Sequence, residues 1–274
     1  MFKVSNLAYK YDKSNKAIDN ISLDFSNGNM IGIIGANGSG KSTLFMNLVG
    51  ILKPSDGKIF YNNKELSYKK QDLYNLRKEV GIVFQDPDKQ IFYSRVYDDV
   101  AFSLRNIGLD EKEVDKKVRR ALELVNALDL INKPVHFLSY GQKKRIAIAS
   151  VIAMENKVVL LDEPTAGLDP ESTKAIVKIL KDLCDKGIKI AISSHDMDLI
   201  YEICDYIYVL NKGNVVIEGD CKTVFKEDEA IINAGLNLPW LVKVHKNMNL
   251  PLFKKEEELY KYFNSLKNDS SVNV

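Results

Sequence analysis

Cysteine is scarce in this sequence: Cys184, Cys204 and Cys221 form an odd, widely spaced set with no CxxC pair. That excludes a disulfide framework and a cysteine-based zinc site. The three read instead as buried or half-buried thiols in a reducing compartment. Long apolar runs are missing too. Stretches such as Val158–Leu161 fall far short of the roughly 20 residues a membrane-spanning helix needs. The opening MFKVSNLAYK has no apolar segment of the kind found in a secretory signal. Nor is there an excess of one charge, since 39 Lys and Arg against 37 Asp and Glu leave a formal net charge of +2. Such balance supplies no electrostatic footprint for nucleic acid. Lysine pairs such as Lys69–Lys70 and Lys143–Lys144 read as solvated faces. No internal repeat is visible, and low complexity is confined to the polar tail Lys267–Val274. The expectation is a cytosolic protein that reaches a membrane only through partners.

What is present is a hydrophobic fraction of 45% over 274 residues, enough for one large core or two modest ones sharing an interface. The first stretch alternates apolar and polar residues (Phe2/Val4, then Ile21/Leu23/Phe25), with turn residues Asn27–Gly28 between apolar runs. Met30–Ile34 is a short apolar strand that enters a glycine-rich loop. Ser42–Val49 then has helical character, closed by Gly50. The middle of the chain differs. Val114, Val118, Leu122, Val125 and Leu128 recur at helical spacing within Glu111–Leu130, and Gln142–Met154 reads as a second helix. Residues 86–150 are thus expected to form a mainly helical insert. The second half alternates again: strand Val158–Leu161, helix Pro170–Cys184, strand Ile188–Ile192, helix Asp196–Cys204, strand Tyr206–Leu210. Asp169–Pro170 supplies an N-cap and a first-turn proline, and Asn211–Gly213 turns into a final strand, Val215–Ile217. Such alternation predicts an α/β fold with a mostly parallel sheet and an N-terminal antiparallel part. Residues 1–222 make the main domain. Residues 223–274 are a small, more polar extension with a short helix near Glu256–Phe263.

The chemistry begins at Gly35-Ala36-Asn37-Gly38-Ser39-Gly40-Lys41-Ser42-Thr43, which matches G-x-x-x-x-G-K-[ST] between a strand and a helix. Glycines let backbone N–H groups turn inward around phosphates, and the helix start adds partial positive charge. Lys41 is placed to reach the β- and γ-phosphates of a nucleotide, and the Ser42 hydroxyl to ligate Mg²⁺. Val158–Leu161 runs into Asp162 and Glu163. At the carboxyl end of a buried strand, Asp162 can hold Mg²⁺ and Glu163 can polarise an attacking water. By itself that pair also fits a helix N-terminus with Pro164 as its first residue. His195 closes an apolar run expected on the same sheet edge, and Gln85, after Gly81–Phe84, can bridge Mg²⁺ and a water. Ser139, Gly141 and Gln142 in LSYGQ open a helix, where they suit an anion or an ordinary cap equally well.

Together these motifs resemble the ATP-binding-cassette ATPases, the nucleotide-binding subunits of membrane transporters, over roughly Phe2–Thr223. The resemblance makes GANGSGKST the Walker A element and VVLLDE the Walker B. It places Gln85 on the Q-loop, LSYGQ on the signature, Gly167-Leu168-Asp169 on the D-loop and His195 on the switch histidine. Tyr11 falls on the aromatic that stacks on adenine. The signature departs from LSGGQ by Tyr140, while Ser139 and Gly141 remain. FQDPDKQ, LSYGQKKRIAIASVIAM, DEPTAGLD and Leu236–Val244 are most similar to the energy-coupling-factor group, especially its cobalt-type ATPases. That resemblance implies ATP and Mg²⁺ as cofactors, and a dimer with itself or with a related ATPase. It also implies a transmembrane coupling protein and a substrate-binding membrane subunit as partners, at the cytoplasmic face of the membrane. Asp86, Asp88 and Gln90 would line a groove for that coupling protein. Cobalt, nickel or a vitamin are the cargoes it leaves open. Another transporter branch, or a soluble ATPase of the same family, are the alternatives.

Overall fold

The computed structural model describes residues 1–12 and 16–270; of the polar tail, Ser271–Val274 lie outside them. In chain order the elements are β1 (Phe2–Lys10), β2 (Lys16–Asp24), β3 (Met30–Ile34), α1 (Lys41–Leu48), β4 (Asp56–Tyr61), β5 (Lys64–Glu65), α2 (Lys70–Glu79) and β6 (Val80–Val83). Three helices follow, α3 (Val96–Asn106), α4 (Glu111–Leu124) and α5 (Tyr140–Ile152). Then come β7 (Val158–Asp162), α6 (Pro170–Asp185), β8 (Lys189–Ser194), α7 (Met197–Ile203), β9 (Tyr206–Asn211) and β10 (Asn214–Asp220). The chain closes with α8 (Cys221–Val224), α9 (Asp228–Asn233), α10 (Trp240–Met248) and α11 (Glu256–Ser270).

The strands form two sheets. One is antiparallel in the order β2-β1-β4-β5, and the other has the order β10-β9-β3-β8-β7-β6, parallel except for the β9–β10 hairpin. β3, β7 and β8 are buried at every position, which is why they read as unbroken apolar runs rather than alternating ones. Alternation reappears in what they touch. Val159 and Leu161 face one core cluster with α3–α5, whereas Val158 and Leu160 face a second with α1 and the antiparallel sheet.

Several elements differ from the sequence expectation at their ends. α5 begins at Tyr140 rather than Gln142 because Ser139 and Gln142 form a reciprocal cap: Gln142 N donates to Ser139 Oγ, and Ser139 N donates to Gln142 Oε1. α4 stops at Leu124, with a separate short turn at Leu128–Leu130, and α11 runs well past Phe263. The C-terminal residues are less detached than their polarity implied. Leu236, Leu241, Val242 and Leu259 join the cluster that holds Val159 and Leu161. They clasp α7 at three points. Trp240 N donates to Asp198 Oδ1 at 2.6 Å, Tyr201 Oη donates to the Phe253 carbonyl at 3.1 Å, and Lys254 Nζ donates to the Cys204 carbonyl at 3.1 Å.

The lysine pair at 143–144 is a correction. Lys143 bridges to Asp88 at 2.7 Å, but Lys144 is wholly buried. It stands on the same helical row as Ile148 and Ile152, both buried, so its position in the period outweighs its charge.

Candidate active site

Four strand ends meet at one edge of the parallel sheet. β3 leads into the glycine loop, β6 into Gln85, β7 ends at Asp162, and β8 leads into His195. Ligands of open α/β sheets sit at this edge. There a cleft of about 450 Å³ is lined by Tyr11, Lys16, Ala17, residues 37–43, Gln85, Asp162, Glu163 and His195. A larger groove of about 750 Å³, between α6, α7 and the C-terminal residues, contains none of these residues.

The loop's shape is set by backbone constraints. Gly40 has φ +107, and a Cβ there would lie 2.6 Å from the Ala17 carbonyl, so only glycine fits. The β9–β10 turn braces the loop from behind, with Gly213 N donating to Ser39 O at 3.1 Å. Lys41 opens α1 and is buried. Its Nζ donates to the Gly35 carbonyl at 2.7 Å and the Ala36 carbonyl at 3.2 Å, and lies 4.0 Å from Glu163 Oε1. Burial lowers its pKa, an effect opposed by the Glu163 and Asp162 carboxylates. An ammonium held this way is a ready counter-charge for a phosphate. Tyr11 is exposed at the mouth of the cleft, and its hydroxyl hydrogen-bonds Thr43 Oγ1 at 3.1 Å.

At the acidic end Ser193 joins the two carboxylate residues. Its Oγ donates to Asp162 Oδ1 and accepts from Glu163 N at 3.0 Å, while its carbonyl accepts from the same N–H at 3.1 Å. His195 Nδ1 sits 2.9 Å from Glu163 Oε2. The Glu163 carbonyl accepts from Lys144 Nζ at 2.9 Å. Burial pulls the Lys144 pKa down to about 8, against the raising effect of Asp162, Glu163 and Asp86. Sequence reasoning passed over Ser193 and read Lys144 as part of a solvated face. A serine inside a strand buried at every position, and a lysine on an apolar helical row, were the signals available.

Ser42, Asp162 and Gln85 bring a hydroxyl, a carboxylate and an amide to one cleft, the hard oxygen donors that Mg²⁺ favours. Among the described residues no group of three or more His, Cys, Asp or Glu side chains converges as a metal site. A cation here would therefore complete its shell with water and phosphate oxygens.

Ser139, Gly141 and Gln142 do not line the cleft. Ser139 is exposed at the start of α5, and a Cβ on Gly141 would lie 2.9 Å from Ser172 Oγ, on the helix capped by Asp169. Asp86, Asp88 and Gln90 lie on the turn after Gln85, Asp88 exposed and the other two half-buried. Asp86 accepts from Asp88 N, Asp88 pairs with Lys143, and Gln90 accepts from Phe84 N and donates to Ala147 O. A separate apolar groove between the core and α3 is lined instead by residues such as Ile51, Tyr74, Ile82, Phe84 and Ile107.

Known proteins resemble this chain in sequence and in fold. The ABC transporter family model matches residues 18–166. A cobalt import ATP-binding protein, CbiO, of Salmonella typhi is 46% identical over 95% of this chain and 96% of its own length. An energy-coupling factor transporter ATP-binding protein, EcfA, of Methanocaldococcus jannaschii is 43% identical over 91% of each. The solved structure of CbiO1 from Clostridium perfringens, part of the ABC transporter complex CbiONQ, superposes with a TM-score of 0.77 at 44% identity, covering 89% of this chain and 98% of that one. With its phosphate loop, acidic strand end and signature helix in the arrangement described, this chain belongs to the ABC transporter family as one of its ATP-binding ATPases.

Proposed function

We propose that this chain powers an energy-coupling-factor type importer, hydrolysing ATP–Mg²⁺ in the cleft and working as a dimer. One observation carries the reading. Tyr11, the glycine loop, Gln85, Asp162, Glu163 and His195 share one cleft, while Ser139, Gly141 and Gln142 of the same chain lie outside it. A second ATPase subunit, identical or related, would supply that signature across the nucleotide.

In this reading Tyr11 stacks on adenine, and the loop N–H groups of residues 36–43 with Lys41 hold the phosphates. Ser42, Asp162 and Gln85 would hold Mg²⁺, which when bound would supply positive charge against the phosphate oxygens. Glu163, fixed by His195 at one oxygen, takes the proton of the attacking water, and Lys41 and His195 face the charge that develops. Loss of the shared γ-phosphate then opens the dimer. The groove at Ile51, Phe84 and Ile107 receives the transmembrane coupling protein, which ties the ATPase to the cytoplasmic face of the membrane. Residues 1–222 act as the motor and 223–274 as its extension. Cobalt is the cargo in CbiO's name, and a metal ion or vitamin is the class proposed here.

The test is Glu163→Gln. It should keep ATP binding, lower turnover by about 10²–10⁴-fold and accumulate an ATP-dependent dimer, read by light scattering. The same variant isolated from membranes should bring integral membrane subunits and no nucleic acid. Wild-type turnover would remove Glu163 from its role, and copurifying nucleic acid would replace the importer reading.

A further inference from the structure

The signature helix and the acidic strand end of one chain are joined by a side chain that neither motif accounts for. Lys144 is 0% exposed, and its Nζ donates to the Glu163 backbone carbonyl at 2.9 Å. A buried ammonium costs several kcal/mol unless its partners repay it. An apolar residue on the row of Ile148 and Ile152 would fill the same space more cheaply.

What the ammonium holds is itself unusual. Apart from asparagines, the positive-φ residues other than glycine among those described are Glu155, Glu163 and Lys212. Only Glu163 of these is buried. At φ +48 its backbone occupies a region unfavourable for a glutamate, one that persists only when its surroundings impose it. They do so from both sides: Ser193 receives the Glu163 N–H, and Lys144 donates to its C=O. The carboxylate therefore enters the cleft from a pinned peptide.

The other end of the link is Tyr140, one turn earlier on α5. Its ring centroid lies 5.7 Å from Lys144 Nζ, its hydroxyl donates to the Gln85 carbonyl at 3.4 Å, and its Cε1 would lie 3.4 Å from a Cβ at Gly167. Tyr140 thus touches the loops on either side of Lys144, directly beside exposed Ser139.

We infer that Lys144 is a positioning residue for Glu163. It holds the Glu163 peptide from the signature helix, with Tyr140 packed beside it. The inference rests on the proposed role of Glu163.

A double-mutant cycle tests this with Lys144→Met, Glu163→Gln and the combined variant, in the assembled transporter. The readouts are kcat, ATP dissociation constant and melting temperature. Lys144→Met should melt at or above the wild type, bind ATP within about threefold of it, and lose at least about tenfold in kcat. In the Glu163→Gln background it should cause no further loss, because the two act as a unit. An equal fold loss in both backgrounds, a kcat within twofold of wild type, or a fall in ATP affinity matching the fall in kcat would each overturn the inference. A Lys144→Met chain that melts well below the wild type would do so too, by giving Lys144 a structural role. If Glu163→Gln itself hydrolyses at the wild-type rate, the reading of Glu163 fails first. If that variant is inactive while Lys144→Met is unaffected, only the positioning role falls.

Discussion

The glycine loop and the signature loop both open helices with short polar residues, yet the chain treats them in opposite ways. Around α1, Lys41, Asp162 and Glu163 are buried, and they line a walled cleft. At the start of α5, Ser139 and Tyr140 are exposed, and Ser139 exchanges hydrogen bonds with Gln142. A walled cleft of oriented donors can hold an anion within one chain. An exposed, self-capped helix start is not enclosed in that way. The difference teaches that a helix N-terminus becomes an anion site when other strand ends enclose it. Alone it remains a cap.

The comparison can be broken most directly at Lys41. Lys41→Ala removes the buried ammonium proposed to face the phosphates, and a charged hydrogen bond is worth about 1.5–3 kcal/mol. ATP affinity should fall by roughly ten- to a hundredfold, measured by titration with a fluorescent ATP analogue. Unchanged affinity would mean that the cleft does not hold the phosphates. The signature side yields a subtler effect. Ser139→Arg should leave ATP affinity of the isolated chain within about twofold of wild type, yet suppress turnover of the assembled ATPase. Mixing it with Lys41→Ala chains should restore part of the turnover, because each mixed dimer would contain one intact composite site. Failure of the mixture to exceed either variant would point to pairing with a related ATPase instead of with itself.

The smallest effect concerns the link between the two regions. Lys144 has a folded pKa near 8, below the 10.5 of an unperturbed lysine. Its burial penalty is therefore fully present below pH 8, and is relieved as pH rises from 8 towards 10.5, where the unfolded chain binds more protons. The stability advantage expected of Lys144→Met over the wild type should shrink across that window, measured by urea unfolding at a series of pH values. A constant difference would mean that the ammonium is solvated.

Motifs whose meaning lies in spacing along one strand–loop–helix unit were legible before any coordinates. GANGSGKST is such a unit, because the glycines, the lysine and the helix start act within a few residues. Asp162 and Glu163 were legible because a buried parallel strand must be apolar until it reaches the ligand edge. Element ends were less legible, since the Ser139–Gln142 cap, which starts α5 two residues earlier than periodicity implied, is a side-chain hydrogen-bond pattern. The lysine pair at 143–144 misled because charge was weighed above helical position. The internal partners of Asp86, Asp88 and Gln90 were not legible, because a polar side chain in a loop can satisfy many neighbours inside its own fold.

The sequence by itself determined the fold class and the placing of the glycine loop and of Asp162 and Glu163 at strand ends. These follow from periodicity and from chemistry confined to neighbours in the chain. Only the tertiary structure decided that Ser193 joins Asp162 to Glu163, that Lys144 holds the Glu163 carbonyl, and that the C-terminal residues clasp α7 behind His195. Each of these contacts joins residues far apart in sequence. Burial cost selects them only once the sheet has brought its strands to a common edge.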